Sequence, residues 1–315
     1  MPGSGRRRHS EQARQGRAAV EWPSLLVALT LYGGFLALTW FYHALPWWLL
    51  LPLGGYIVAW HGSLQHEVVH RHPTAKAWIN ELLVFPSLWL WMPFRIYRQT
   101  HLRHHRNSRL TDPLSDPESF YLDADAWTRA GRLRRGLLTA QNTGLGRLLL
   151  GPPIAVARLL YEEGARLLGG DFGNLGAWLL HALSCALVVF WVVAVCDIPL
   201  QAYVLLFVYP GLSLTLLRSF IEHQAAAAEG ERTVIVESGP LLSLMFLNNN
   251  LHAVHHESPG LPWYRLPGVW RRRRAEILAA NGGYHFKGYG QVLRRYLLSA
   301  KEPVLHPFAA SGRAD

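Results

Sequence analysis

Residues 22–66 read WPSLLVALTLYGGFLALTWFYHALPWWLLLPLGGYIVAWHGSLQH, and no Asp, Glu, Lys or Arg occurs between Glu21 and Glu67. A helix needs about 20 apolar residues to cross the hydrocarbon of a bilayer. The stretch therefore holds two crossings, 24–42 and 45–60, broken at His43-Ala44-Leu45-Pro46. A second uncharged run follows Asp171: residues 172–196, a turn at Asp197-Ile198-Pro199, then residues 200–217. The reading is an all-α integral membrane protein with four transmembrane helices in two hairpins. Two shorter apolar segments, 82–94 with Pro86 and Pro93, and 240–247, read as interfacial rather than spanning.

Composition agrees with a bilayer. Of 315 residues, 50% are hydrophobic and 17% charged, against about 25% charged in soluble domains. Disorder is excluded. Cys185 and Cys196 both lie in one apolar run, so they read as small buried hydrophobes and not a disulfide framework. The net charge of +10 raises nucleic acid as a partner, but 13 Trp and this much apolar sequence argue against it.

Orientation follows the arginines. Arg6, Arg7, Arg8, Arg14 and Arg17 precede the first hairpin, the segment from Arg95 to Arg166 is rich in arginine, and Arg271–Arg274 form a run. The two tight hairpin turns carry no Lys or Arg. Both termini and the middle segment are thus expected in the cytoplasm, with Arg271–Arg274 facing solvent and lipid headgroups. The first apolar helix exceeds a secretory signal core, lacks a small-x-small cleavage site and runs into a second helix, so it reads as a retained anchor. Arginine far outnumbers lysine, which points to a GC-rich bacterial genome and an inner-membrane location.

Most of the 16 histidines cluster. His66-Glu67-Val68-Val69-His70 follows the second crossing, His101-Leu102-Arg103-His104-His105 lies in the middle segment, and His252-Ala253-Val254-His255-His256 follows the second hairpin. His223 sits just past the fourth crossing. On a helix, positions i, i+3 and i+4 share a face, so each cluster aims two or three imidazoles the same way. All nine fall on the side assigned to the cytoplasm. Imidazole is a good ligand for iron, zinc, copper and nickel. Nine exceeds one tetrahedral zinc site and suits two metals of higher coordination number. Nitrogen-rich ligation without thiolate suits redox-active iron that binds dioxygen. His9, His43 and His181 read as ordinary packed or surface residues, and the roles of His61, His72 and His285 stay open.

His66-Glu67-x-x-His70 is also the zincin pattern, in which the glutamate activates a zinc-bound water. A membrane metalloprotease adds an acidic third ligand downstream. Here the position four after Glu222 is Ala226, no Asp-Gly occurs, and seven clustered histidines would go unexplained. A non-catalytic metal-binding or transport protein would carry charge within the crossings, and these have none.

The three boxes, in this order and spacing, resemble the membrane fatty acid desaturase superfamily, which includes acyl hydroxylases, carotenoid ketolases and alkane monooxygenases. The resemblance runs from the first crossing to about His256. It implies four crossings capped by a cytoplasmic helical domain whose boxes hold two irons. Residue by residue, His66 and His70 match the first box, His101, His104 and His105 the second, and His252, His255 and His256 the third. Glu222-His223 looks like the family's extra histidine. The three-residue spacing between His66 and His70 is closer to the bacterial, plant-type and alkane-oxidising branches than to animal stearoyl-type desaturases. Asn248 sits where a helix would bring it to the ligand face, and Asn248-Asn249-Asn250 reads equally as a cap cluster. Glu67, Asp112, Asp116, Glu222 and Glu257 are the carboxylates available to fix imidazole tautomers.

The expected layout is a cytoplasmic basic tail over 1–23, a desaturase-like membrane domain with its cap over 24–257, and a cytoplasmic segment over 258–315. The expected activity is an oxygen-dependent di-iron fatty acyl desaturase, with a hydroxylase, ketolase or oxidative decarboxylase on a fatty acid or other lipid as the alternative. The substrate would enter from the bilayer past Trp60, Trp89 and Trp91. The chain has no His-Pro-Gly-Gly haem motif, no cysteine cluster and no Gly-x-Gly-x-x-Gly opening. The expectation is therefore no bound haem or flavin, and electrons from a ferredoxin, rubredoxin or cytochrome with its reductase, docked on the basic face.

Overall fold

The computed structural model describes residues 20–308. His9 and the basic stretch holding Arg6–Arg8, Arg14 and Arg17 lie outside them.

Helix α1 (Trp22–Trp40) and helix α2 (Trp47–Val69) are joined by a 3-10 turn at Tyr42–Ala44. The second apolar run folds as α9 (Leu175–Val195) and α10 (Leu200–Glu222). The break between them is at Asp197, whose φ of 52° turns the chain, and Pro199, which cannot extend a helix ladder. Helices α1, α9 and α10 are long and apolar enough to cross a membrane. Their outward leucines, including Leu29, Leu179, Leu183 and Leu205, are exposed along their length, a surface that suits lipid and not water. The protein is a membrane protein.

Helix α2 differs from these three. At 23 residues it is just as long, but glycine, histidine, glutamine and glutamate in its second half dilute its apolar character. It is also the most enclosed: every residue from Ile57 to His70 is buried. The expected crossing 45–60 therefore runs on without a break and delivers the first histidine pair on the same rigid rod. Helices α2 and α10 pack closely through small residues. A Cβ on Gly54 would come 2.7 Å from the Leu206 carbonyl, and one on Gly211 would come 2.5 Å from the Val58 side chain.

The segment after α3 (Ala77–Leu83) is no long helix, and within it Val84, Ser87, Leu88 and Trp89 are buried while Phe85, Pro86, Leu90, Trp91 and Met92 are half-buried. Pro86 and Pro93 break the helix, and the freed backbone groups find partners in the bundle. The Tyr203 hydroxyl donates to the Leu88 carbonyl at 2.6 Å, and the Ser87 N–H donates to Ser184 Oγ at 2.9 Å.

The remaining helices form a cap: α4 (Phe94–His104), α5 (Ala124–Arg129), α6 (Arg132–Gln141), α7 (Gly144–Leu149), α8 (Gly151–Leu168), α11 (Pro240–Met245), α12 (His252–Glu257), α13 (Leu266–Ala280) and α14 (Tyr289–Tyr296). A two-stranded parallel sheet ties its later part together, β1 (Ile235–Val236) on β2 (His285–Phe286), with Ile235 opposite His285. Cys185 and Cys196 are free thiols.

Candidate metal centre

Four chain segments converge where the membrane helices meet the cap. Helix α2 presents His66, and His70 follows at its C-terminal end. Helix α4 presents His101 and His104, with His105 at its end. Helix α12 presents His252, His255 and His256. His223 is the first extended residue after α10.

The nine rings sort into two groups. His66, His70, His101, His105 and His255 form one, and His104, His223, His252 and His256 form the other. In each group the nitrogen atoms lie within 4.8 Å of one another. The split follows helical geometry. His101 and His105 are i and i+4 and face one group, while His104 is rotated toward the second. Helix α12 divides its histidines in the same way. The groups touch, since the His105 and His256 rings stack with centroids 4.3 Å apart.

The outer nitrogens have acceptors. His104 Nδ1 lies 2.7 Å from Asp116 Oδ1, His101 Nδ1 2.9 Å from Glu118 Oε1, and His223 Nδ1 3.2 Å from the Arg232 carbonyl. His252 Nδ1 lies 3.1 Å from Asn249 Oδ1. Each acceptor requires the proton on Nδ1, which leaves Nε2 as a lone pair. These lone pairs point at one another: His104 Nε2 is 3.1 Å and His252 Nε2 3.0 Å from His223 Nε2. In the five-histidine group, His101 Nε2 is 3.2 Å from His70 Nε2 and 3.0 Å from His105 Nε2. The buried Nε2 atoms of His66 and His256 have no hydrogen-bond partner. Converging lone pairs repel unless a Lewis acid lies between them, so this donor set fits metal cations.

The electrostatics point the same way. Burial, then the crowding of like imidazoles, holds His105, His252, His255 and His256 well below the ordinary histidine range, in the unprotonated form a metal needs. Burial alone would lower His104 too, but the Glu118 and Asp116 carboxylates carry it up to about 9. A field that favours a proton on that ring also favours a metal cation. Burial would raise Glu118, yet His101 and His104 hold it far below the usual carboxylate range.

Residues 42–288 match the sequence model of the fatty acid desaturase family. The chain belongs to that family. Membership carries with it an oxygen-dependent oxidoreductase of the desaturase and hydroxylase type, a histidine-box metal centre and a lipid substrate. No curated protein matches the chain.

In this desaturase-family chain the outer support of the histidines differs from the sequence expectation. Asp116 contacts His104 as anticipated. Glu222 approaches His252 Nδ1 at 3.4 Å, while it pairs with Arg218 at 2.9 Å and accepts from Asn249 Nδ2 at 3.1 Å. Four other candidates act elsewhere. Glu67 accepts the Trp263 N–H at 3.1 Å, which is not the position of a zincin's water-activating base. Asp112 caps its own turn through Ser115 and Leu114. Glu257 forms an exposed ion pair with Arg273 at 2.8 Å. Asn248 donates to the Trp263 carbonyl at 3.1 Å, and Asn249 is the asparagine that meets a histidine. The helical-face argument for Asn248 fails because Leu247 and Asn248, with φ of 47° and 55°, break the helix before α12 begins. Glu118 and the Arg232 carbonyl were missed. Glu118 had one signal, its place in the acidic run Asp112-Pro-Leu-Ser-Asp116-Pro-Glu118 just beyond the second box.

The three open histidines lie outside both groups. His72 makes a buried pair with Glu21 at 2.7 Å, His285 pairs with Glu237 at 2.9 Å, and His61 packs edge-on against Tyr32 and Trp89. His181 is packed beside Trp178.

Proposed function

We propose that this protein is an oxygen-dependent di-iron fatty acyl desaturase that introduces a C=C bond into an acyl chain. The nine histidines would be the ligands, five to one iron and four to the other. One observation carries the reading: two touching groups of imidazoles whose Nε2 lone pairs converge at the end of membrane-capable helices. When bound, the iron pair would supply the reduction of dioxygen and the removal of hydrogen from an unactivated methylene. The balance is one –CH2–CH2– unit, one O2, two electrons and two protons, giving one –CH=CH– unit and two waters.

The chain's own residues would hold and shield this chemistry. Asp116, Glu118, Asn249 and the Arg232 carbonyl would fix the tautomers of His104, His101, His252 and His223, which keeps these four of the nine donors aimed inward. The substrate would approach along an aromatic line from the membrane core, Trp91 to Trp89 to Tyr97 to His101, with successive ring centroids 5.7, 5.9 and 5.6 Å apart. Trp60 is also buried but packs edge-on against Tyr56 and not in this line.

In this reading α1–α2 and α9–α10 are two membrane hairpins giving four crossings in a bacterial inner membrane, with both termini and the cap in the cytoplasm. Electrons would come from a ferredoxin, rubredoxin or cytochrome with its reductase. The exposed Arg271, Arg272 and Arg274 of α13 are a suitable docking face for an acidic carrier, and raising salt should slow that transfer.

The test is lipid profiling of a host expressing the wild type beside His104→Ala, with iron counted in the purified protein. A product lighter by 2 mass units that vanishes in the variant supports desaturation. A gain of 16, or loss of the carboxyl, would instead assign hydroxylation or oxidative decarboxylation on the same scaffold. An active protein loaded with zinc and free of iron would end the di-iron reading.

A further inference from the structure

His223 is the least supported of the nine by its own secondary structure. It lies just beyond α10 in an extended conformation, φ −128° and ψ 148°, so no helical ladder fixes its ring. The last carbonyls of any helix also lack intrahelical partners. The Arg232 carbonyl holds its Nδ1 at 3.2 Å and its backbone bridges to Thr233; a second support comes from residues 301–306, beyond the 42–288 span that matches the family.

The Lys301 side chain is only 8% exposed, and its Nζ donates to the His223 carbonyl. Glu302 pairs with Lys301 at 3.1 Å and accepts the Ala225 N–H at 3.0 Å. The Tyr121 hydroxyl donates to Glu302 and accepts the same Ala225 N–H at 3.0 Å. The backbone on both sides of the His223–Ala225 turn is thus clamped by two adjacent residues. The strap is itself anchored. The Lys301 N–H donates to the Asn142 carbonyl at 2.8 Å, and Asn142 Nδ2 donates back to the Glu302 carbonyl. The Leu122 N–H donates to the Val304 carbonyl at 2.8 Å, and the His306 N–H donates to the Leu122 carbonyl at 2.9 Å, a strand-like pair of bonds. His306 Nε2 donates to Thr111 Oγ1 at 3.0 Å, and the Thr111 N–H donates to Asp116 Oδ2 at 2.8 Å. One strap therefore reaches two of the four histidines in the smaller group: His223 through its carbonyl, and His104 through Asp116.

We propose that Lys301 and Glu302 are positioning residues of the four-histidine group, and that the C-terminal strap 301–306 sets whether that group holds its metal. Among the described residues no histidine of the five-histidine group bonds the strap directly; only His101 is linked to it, by the longer relay Thr111–Asp116–Glu118, so that group should respond far less. The inference rests on the two-metal reading above.

The test uses the full chain purified in detergent, stripped with chelator and titrated with Fe(II) under anaerobic conditions. Wild type, Lys301→Met, Glu302→Gln and Lys287→Met, an exposed lysine as control, are compared. The first iron should bind all four proteins alike. The second should bind Lys301→Met at least about tenfold more weakly and Glu302→Gln more weakly by a smaller factor, with one of the two Mössbauer components lost at limiting iron. Metal-free melting temperatures should stay within a few degrees of wild type. Two irons bound with wild-type affinity and spectrum in both variants would overturn the proposal. So would metal-free melting that collapses in both, because the strap would then support the whole fold. A wild type that binds no iron would bring down the two-metal reading and this inference with it, whereas failure in the variants alone leaves that reading intact.

Discussion

His104 Nδ1 and Asp116 Oδ1 lie 2.7 Å apart, with side chains only 1% and 2% exposed. The carboxylate is fully committed. Its Oδ1 also accepts the Glu118 N–H at 3.0 Å, and its Oδ2 accepts the Thr111 N–H at 2.8 Å. A buried carboxylate serving three donors fixes both the tautomer and the heading of one imidazole.

Asp116→Asn is therefore not a mild change. The amide has one acceptor oxygen, so its NH2 must face either the His104 Nδ1–H or the Thr111 N–H, donor against donor. Loss of such outer support costs roughly 10- to 100-fold in metal affinity. We expect iron content per chain to fall and the second equivalent of Fe(II) to bind that much more weakly in titration. An unchanged isotherm would remove Asp116 from the support of the centre.

Glu118→Gln should do less. Its carboxylate contacts His101 Nδ1 at 2.9 Å, but the side chain is 33% exposed, so water can replace part of what the charge supplies. The expected loss of affinity is below that of Asp116→Asn, on the order of a few fold, and largest in the five-histidine group, with a smaller effect through the carboxylate's field on His104. The reversed ranking, read in the same titration, would show that burial does not govern the strength of these supports.

Glu67 separates the oxidoreductase from a hydrolase. In a zincin this glutamate is the general base, and its loss costs about 10²- to 10⁴-fold in turnover. Here it accepts the Trp263 N–H at 3.1 Å, a role glutamine can keep. Glu67→Gln should retain lipid-modifying activity within about threefold. A drop of a hundredfold with iron content unchanged would place Glu67 at the reacting atoms.

What could be read from sequence followed from two kinds of regularity. Absence of charge over 22–66 and 172–196 marked the long helices, because the bilayer penalises every ionised group in its core. Helical periodicity marked the histidine clusters. It also accounts for the division of His101 and His105 from His104, although spacing alone gave no sign that each triplet would serve two groups. Contacts made through loops were not legible. Glu118 meets a histidine 17 positions away, and Asp116 one 12 positions away, across a turn with no period. Asn249 could not be preferred over Asn248 until the left-handed residues before α12 were seen. Nor did the apolar crossing at 45–60 show that one unbroken helix would run from Trp47 to Val69, because enclosure by neighbouring helices, and not the apolar run, accompanies its second half.

The closest approach of α2 and α10 gives the last prediction. A Cβ on Gly211 would meet the Val58 side chain at 2.5 Å and the Ala59 backbone nitrogen at 3.2 Å, so Gly211→Ala cannot fit without parting the helices. Overpacking of this kind costs about 1–3 kcal/mol. Helix α2 carries His66 at one end and α10 leads directly into His223, so the displacement should also reach both histidine groups. Gly33→Ala is the matching control: a Cβ there has nothing within 4 Å, and alanine favours a helix by up to about 1 kcal/mol over glycine. Gly211→Ala should lower the melting temperature and the bound iron together, while Gly33→Ala leaves iron unchanged and holds or raises the melting temperature. Equal iron retention in the two variants would mean that the histidine groups tolerate separation of the helices that carry them, and that the cap alone sets their geometry.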